Sequence, residues 1–162
     1  MLNDAWLSFF TEELQSAGYS LSEKQNALFL RYMHDLIEWN RSTNLTRIIE
    51  PRSIATKHFL DSILITRHIN IAHENIADVG SGGGFPGIPL AILEPGCRVV
   101  LIESVRKKTS FLKHIVRTLK LKNVQVYNGR AEDYPEPGAF DLAISRAFSS
   151  LVDFADIALG LI

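Results

Sequence analysis

Five glycines lie within residues 80–87, directly after the apolar run 76–79. Glycine is used where the backbone takes a positive φ angle, or where another molecule must approach the main chain with no Cβ between them. A flexible strand–helix connection is the alternative reading. The lysine and hydroxyl of a Walker loop are absent, because Ile88 and Pro89 follow Gly87. The stretch therefore predicts a ligand-binding turn and argues against ATP hydrolysis.

A carboxylate follows the next predicted strand. Glu103 lies 23 positions after Gly80, at the end of the β-branched run 98–102. In a βαβ unit, a carboxylate at this point lies beside the glycine turn and can accept hydrogen bonds from both hydroxyls of a ribose. An exposed acid at a strand end is the alternative. Together, the turn and Glu103 predict a cofactor that contains a nucleoside.

Dinucleotides and S-adenosylmethionine both suit this arrangement, and other residues favour the second. A dinucleotide places its pyrophosphate against a helix that starts tightly after the glycines. Here Phe85-Pro86 delays the helix and puts an apolar ring into the loop. Asp78 could meet a cationic amino or sulfonium group, and the polar loop 129–133 could frame an adenine. A nicotinamide-dependent oxidoreductase remains the alternative, since the glycines also match a G-x-G-x-x-G spacing.

The elements that must position these residues change character near residue 75. Before it, apolar residues recur at helical spacing; after it, short β-rich runs alternate with helices. This alternation predicts a doubly wound α/β fold with a mainly parallel sheet. We expect a helical N-terminal cap over residues 1–70 and a core over residues 71–162, packed as one compact unit. The predicted strands are 76–79, 98–102, 124–127 and 140–145, with a helix over residues 105–119.

Local signals place the ends of the N-terminal helices. Asn3 or Asp4 is predicted to cap the first helix, and Ser20 with Glu23 has the spacing of a capping box. Pro51 suits the first turn of a third helix. The chain ends on the apolar pair Leu161-Ile162 soon after the fourth strand, which predicts that C-terminal strands of this fold class are missing.

Composition excludes several classes of protein. The chain has 162 residues, of which 46% are hydrophobic and 22% charged, a balance typical of a globular domain. No apolar run approaches the length needed to cross a bilayer. The single cysteine, Cys97, excludes internal disulfides and multi-cysteine metal sites. Two spaced pairs, His34/Glu38 and His58/Asp61, offer only two ligands each, so we predict no metal. A cytoplasmic protein is expected.

One helix carries a strong local charge. The net charge of the chain is −1, yet residues 104–122 contain seven basic side chains and no acid. Four of these bases share one stripe opposite the apolar face: Arg106, Lys113, Arg117 and Lys120. A solvated helix face is one interpretation, and a contact surface for RNA phosphates is the other.

The motifs together resemble a known family. The string Asp78-Val79-Gly80-Ser81-Gly82-Gly83-Gly84-Phe85-Pro86-Gly87-Ile88-Pro89-Leu90-Ala91 and the later Ile144-Ser145-Arg146-Ala147-Phe148 are similar to the glucose-inhibited division protein B family. Trp39-Asn40, Asn44-Leu45-Thr46 and His58-Phe59-Leu60-Asp61-Ser62 resemble its N-terminal signature. Members are bacterial class I, Rossmann-like methyltransferases that modify guanine N7 in small-subunit ribosomal RNA with S-adenosylmethionine. The resemblance spans about residues 36 to 151.

The resemblance implies roles for individual residues. From the first loop, Gly80, Gly82 and Phe85 would bind the cofactor. Glu103 would bind the ribose, Ala131 and Glu132 would bound the adenine, and Arg146 would lie beside the cofactor and the incoming base. No catalytic acid or base is expected, because guanine N7 is a lone pair without a proton. The implied partner is small-subunit ribosomal RNA or the ribosomal subunit, bound by a monomer. A non-catalytic RNA-binding or ribosome assembly factor stays open as a further alternative.

Overall fold

A parallel sheet of four strands forms the centre of the protein. The computed structural model describes residues 2–146 and 150–162, so Ala147 and Phe148 of the second motif lie outside the described residues. The strand order is β3-β2-β1-β4, and every neighbouring pair is parallel. The predicted α/β class is therefore confirmed. The strands are β1 (Asn75–Val79), β2 (Arg98–Glu103), β3 (Val124–Asn128) and β4 (Leu142–Ser145).

Helices precede the sheet, as the apolar spacing predicts. The first two are α1 (Leu2–Ser16) and α2 (Glu23–Thr43). A continuous helical segment then runs through α3 (Pro51–Ile54), a π-helical turn (Ala55–Leu60), α4 (Asp61–Leu64) and a 3-10 turn (Ile65–Arg67). The later helices are α5 (Gly87–Leu93), α6 (Arg106–Thr118) and α7 (Leu151–Leu161), with a 3-10 turn at Ala131–Asp133.

Two predicted helix starts are wrong by a few residues. Because α1 begins at Leu2, Asn3 and Asp4 lie inside its first turn and do not precede it. The capping box of α2 is formed by Ser22 and Gln25, two residues later than predicted. There the Ser22 hydroxyl accepts the Gln25 amide, while the Gln25 side chain accepts the Ser22 amide at 2.9 Å. A glutamine at the third helical position serves as well as a glutamate.

Proline starts the third helical segment as predicted. Pro51 occupies the first turn of α3, where its missing amide hydrogen has no intrahelical partner to lose. Glu50 completes this end, since its carboxylate accepts the amides of Arg52 and Ser53. These bonds are also the main reason that the pKa of Glu50 is lowered.

Apolar side chains cover both faces of the sheet. On one face, a large cluster joins the N-terminal helices to α5, α6 and the strands. Trp6, which is buried, packs there edge to face on Phe59 with ring centroids 6.2 Å apart. On the other face, a smaller cluster includes Phe140 and, from α7, Leu161. The division of the chain at residue 70 stays a prediction.

Membrane and metal features can be assessed for the described residues. No helix among residues 2–146 and 150–162 is both long and apolar enough to cross a membrane. Within the same ranges, no group of three His, Cys, Asp or Glu side chains is arranged to hold a metal ion.

Candidate functional site

The predicted site residues follow three strands at one row of the sheet. Val79 of β1 is in register with Ile102 of β2 and with Ser145 of β4. The next position of this row, at the carboxyl edge, is occupied by Gly80 and Arg146, which directly follow β1 and β4, and by Glu103, the last residue of β2. After β1 the chain continues to β2 and β3 on one side of β1, and it then returns to form β4 on the other side of β1. This edge is the topological switch point at which open α/β sheets bind ligands.

A cleft of about 180 Å³ opens at this row. Four of the predicted cofactor-binding residues line it: Gly80, Glu103, Ala131 and Glu132. The structure thus brings together the glycine turn, the strand-end acid and the loop after β3. Sequence reasoning missed Ile157, which lines the cleft from α7. The helical spacing of Phe154, Ile157 and Leu161 is the signal that could have revealed this face.

The glycine turn exposes main chain toward the cleft. Gly80 has a φ angle of +71°, and a Cβ added there would meet no heavy atom within 4 Å. Its amide donates to the Ile102 carbonyl at 2.9 Å, which ties the turn to the end of β2. The Ser81 hydroxyl donates to the Asp78 carbonyl at 2.7 Å. Hydrogen bonds to β1 and β2 therefore hold the turn in place. The space next to the Cα of Gly80 stays open for a ligand.

Glu103 supports the turn as well as facing the cleft. Its side chain is buried, and its two oxygens accept the amides of Gly82 at 2.9 Å and Val105 at 2.8 Å. A carboxylate offers about four lone-pair sites, so roughly two remain for ligand hydroxyls. Glu103 therefore satisfies two main-chain donors in addition to the ribose hydroxyls that the sequence predicts for it, and the ribose contact stays a prediction.

The Phe85 side chain lies outside the cleft, on the side of the N-terminal helices. Its ring is only 6% exposed and packs among aromatic side chains, stacking on His58 at 4.3 Å and on Tyr32 at 5.5 Å. It is not among the residues that line the cleft. The ring thus anchors the glycine loop to the helices behind it. A contact between Phe85 and the cofactor stays a prediction, as do the other assigned binding roles.

Asp78 is the most unusual titratable group of the site. It is fully buried, and its Oδ2 accepts the Gly87 amide at 2.9 Å. Its Oδ1 has no hydrogen-bond partner among the described residues. Burial raises the pKa of Asp78 to about 7, and the negative charge of Glu103 adds to the rise. A buried carboxylate oxygen without a partner suits the amino group of a cationic ligand, because an ammonium would supply the missing donor.

Arg146 is held from the N-terminal helices. Its guanidinium donates to His58 Nδ1 at 3.1 Å and to the Lys57 carbonyl, and lies 3.3 Å from a carboxylate oxygen of Asp61. His58 and Asp61, which we predicted not to bind metal, therefore contact an arginine. Arg146 does not line the cleft itself.

The basic stripe of α6 lies on the surface. Its predicted members, Arg106, Lys113, Arg117 and Lys120, are all exposed, while the opposite side of the helix packs into the core. The predicted stripe is wrong at its end, because α6 stops at Thr118 and Lys120 lies beyond it with a φ angle of +53°. No described acid forms an ion pair with any of them. A shallow groove of about 560 Å³ runs beside three of these bases and is lined also by Val116 and Leu121. The stripe is a positive surface with no described internal counter-ion.

The residues present fit an adenosyl cofactor. Open space lies beside Gly80, and Glu103 keeps lone pairs for ribose hydroxyls. Asp78 does not line the cleft, but its unpartnered oxygen is buried directly beneath the glycine turn. Ala131 and Glu132 close the far side of the cleft. The helix after the turn begins only at Gly87, so no helix N-terminus follows the first glycines directly. This is the arrangement expected for a ligand without a pyrophosphate.

Known structures share the fold. A SAM-dependent methyltransferase from Aquifex aeolicus superposes with a TM-score of 0.55 at 16% identity, covering 78% of this chain and 66% of that one. P. horikoshii TYW2, solved in complex with MeSAdo, gives a TM-score of 0.55 at 19% identity, covering 64% of this chain and 39% of that one. At these identities the likeness establishes the class I methyltransferase fold alone.

Sequence relatives are much closer. A ribosomal RNA small subunit methyltransferase G from Ectopseudomonas mendocina is 45% identical over 148 residues, covering 90% of this chain and 69% of the relative. The protein of the same name from Pseudomonas paraeruginosa is 45% identical over 139 residues, covering 86% and 64%. The chain thus spans about two thirds of the length of these relatives. The family profile of rRNA small subunit methyltransferase G matches residues 25–162. With the glycine turn, the strand-end acid and these similarities in agreement, the chain belongs to the GidB family of rRNA small subunit methyltransferase G.

Proposed function

We propose that this protein transfers the methyl group of S-adenosylmethionine to N7 of a guanine in 16S, small-subunit ribosomal RNA. The observation that carries the proposal is the cleft at the switch point, where Gly80, Glu103, Ala131 and Glu132 meet. Family membership adds the substrate class, since the relatives are named for the small ribosomal subunit.

The cofactor would supply a methyl group on a positively charged sulfur. Glu103 would accept hydrogen bonds from the ribose, and Asp78 would face the cationic part. Guanine N7 attacks through an in-plane lone pair and carries no proton, so the reaction needs no general base. Alignment of the nucleophile with the methyl carbon and the sulfur would then provide most of the rate.

The positive stripe on α6 supports RNA as the partner. Helix α6 starts just after Glu103 and runs back along the sheet, so the stripe leads away from the cleft over about 17 Å from Arg106 to Arg117, at 1.5 Å per residue. A segment of RNA whose target base enters the cleft could lay its phosphates along this face. We infer that these bases bind the RNA backbone, by charge and without sequence preference.

Charge reversal tests this surface. Lys113→Glu with Arg117→Glu should weaken RNA binding by about tenfold or more and flatten its salt dependence, lowering the slope by about 1 to 2. Arg52→Glu with Arg67→Glu is the matched control, because both arginines are exposed on the N-terminal helices and the change in net charge is equal. Unchanged affinity in the first variant would remove the surface from the proposal.

Methyl transfer itself is tested with labelled cofactor. Small-subunit ribosomal RNA is incubated with the protein and tritiated S-adenosylmethionine, and nuclease digests are then analysed for 7-methylguanosine. The full-length Ectopseudomonas mendocina relative serves as a comparison. Label in 7-methylguanosine supports the proposal. RNA binding without transfer would favour an assembly factor, and tight NAD binding without S-adenosylmethionine binding would favour an oxidoreductase.

The setting of this activity belongs to the same proposal. We expect the protein to act in the cytoplasm as a monomer on ribosomal RNA or on the ribosomal subunit. The lack of a membrane-crossing helix among the described residues agrees with this. Sedimentation of the purified protein at micromolar concentration should give the mass of one chain, 18.2 kDa.

A further inference from the structure

One turn of the N-terminal helices surrounds the guanidinium of Arg146. Its partners are the His58 ring, the Lys57 carbonyl and the Asp61 carboxylate. All three lie in or directly after the π-helical turn Ala55–Leu60. Turns of this kind are rare and recur at functional sites. The direction of the Arg146 side chain is therefore set by residues 57–61, which lie more than 80 positions earlier in the chain.

The geometry fixes the tautomer of His58. A guanidinium can only donate hydrogen bonds, so the His58 Nδ1 that faces Arg146 must be the acceptor. The ring proton is then on Nε2, which donates to the Thr46 hydroxyl oxygen at 2.8 Å. Burial, together with the positive charge of Arg146, lowers the pKa of His58 to about 4. The ring is therefore neutral at physiological pH and keeps its acceptor.

Thr46 is itself held in place. Asn40 accepts the Thr46 amide and donates to the Thr46 carbonyl, both at 2.9 Å. The Thr46 hydroxyl also accepts the Ile48 amide at 3.0 Å. An unbroken series of hydrogen bonds thus runs from α2 through the loop that follows it to His58 and Arg146. It joins one residue from each of the three pieces of the N-terminal motif: Asn40, Thr46 and His58.

The face of the His58 ring packs against the glycine loop. His58 stacks on Phe85 with ring centroids 4.3 Å apart and planes 12° apart. The edge of the His58 ring meets the guanidinium of Arg146. Arg146 directly follows Ser145, the last residue of β4, which pairs with Val79 of β1. We propose that His58 is a positioning residue which, as the neutral Nε2–H tautomer, holds the Arg146 guanidinium beside the glycine turn for methyl transfer. This inference rests on the proposed function.

Two substitutions of His58 separate the edge of the ring from its face. His58→Phe keeps an aromatic ring against Phe85 but offers Arg146 no acceptor. His58→Asn loses the ring but places an amide oxygen near the position of Nδ1. We expect His58→Phe to lower kcat/KM for RNA methylation by about tenfold or more, the loss typical of a hydrogen bond to a charged group. His58→Asn should recover activity to within about threefold of the wild type.

A double-mutant cycle tests whether His58 acts through Arg146. In an Arg146→Ala background, His58→Phe should cost less than about twofold, because the partner is already gone. Single-turnover assays allow these slow variants to be compared, and thermal unfolding shows whether each is folded. An equal loss in both backgrounds would mean that His58 only stabilises the fold, and the inference would be overturned. Full activity of His58→Phe alone would overturn it too.

Nitrogen NMR of the ring gives a readout that does not depend on activity. In the wild type, Nδ1 of His58 should be unprotonated and Nε2 protonated throughout pH 5 to 8. The opposite tautomer, or protonation of both nitrogens within this range, contradicts the inference. Absence of methyl transfer by the wild type would refute the proposed function, whereas an active wild type with additive variants refutes only the role of His58.

Discussion

Asp78 gives the fold an unusual dependence on pH. The pKa of its carboxyl is about 7 in the folded protein, against a reference value of 3.8. The folded state therefore binds the proton more tightly than the unfolded chain, and the stabilisation is complete only below pH 3.8. It is lost as the pH rises through about 7. Between pH 5 and pH 8, this effect should lower the free energy of unfolding of the wild type by about 2.5 kcal/mol.

The variant Asp78→Asn isolates this effect. Asparagine has nearly the same shape, can still accept the Gly87 amide and carries no charge. We expect the free energy of unfolding of Asp78→Asn, relative to the wild type, to rise by about 2.5 kcal/mol between pH 5 and pH 8. Comparing the two proteins also removes the contribution of His58, whose lowered pKa makes both more stable as the pH rises.

Urea denaturation at pH 5 and pH 8, followed by circular dichroism, measures this difference. A difference that is the same at both pH values would show that Asp78 is ionised without penalty, and the reasoning would fail. Cofactor binding supplies a second readout from the same variant. If the carboxylate faces a cationic group, the affinity of the wild type for S-adenosylmethionine should increase through pH 7, while that of Asp78→Asn stays flat.

Three further substitutions probe the loop and its support. Glu103→Ala should lower the free energy of unfolding by about 1 to 3 kcal/mol, because two partly buried main-chain amides lose a charged acceptor. Chemical denaturation measures the loss, and wild-type stability would contradict the assigned bonds. Gly80→Val should abolish cofactor binding in calorimetry, whereas Gly138→Val, with a similar φ angle of +70° and equally open surroundings, should cost comparable stability but leave binding intact. Gly87→Ala should lower the free energy of unfolding by about 1 to 3 kcal/mol, because the added Cβ would lie 2.6 Å from an Asp78 carboxylate oxygen. An unchanged melting temperature would show that the loop relaxes freely.

Much of the fold could be predicted because local chemistry and global arrangement agree. The buried run 76–79 and the β-branched run 98–102 became β1 and β2 with shifts of one residue or fewer at each end. Alternation of strands and helices leaves few topologies, and a parallel sheet follows because a long crossover connection separates each strand from the next. The carboxyl edge of such a sheet is the ligand-binding edge, so Gly80 and Glu103 could be placed together from their positions alone.

The remainder depends on side-chain directions that sequence does not specify. The sequence puts the Phe85 ring in the loop but does not give its direction, which is set by the rings of Tyr32, His58 and Phe59 packed behind the loop. The bond between Arg146 and His58 joins residues 88 positions apart, and no local pattern marks it. The helix start at Ser22 was missed because Ser20 offered the same capping chemistry two residues earlier.

A crystal structure with S-adenosylmethionine tests the central claim most directly. We expect adenosyl density in the cleft, with both ribose hydroxyls within hydrogen-bonding distance of Glu103 and the adenine bounded by Ala131 and Glu132. The methyl group should point toward the side of the sheet on which Arg146 lies. Well-ordered crystals whose cleft stays empty at saturating cofactor, or which bind it elsewhere, would contradict the account.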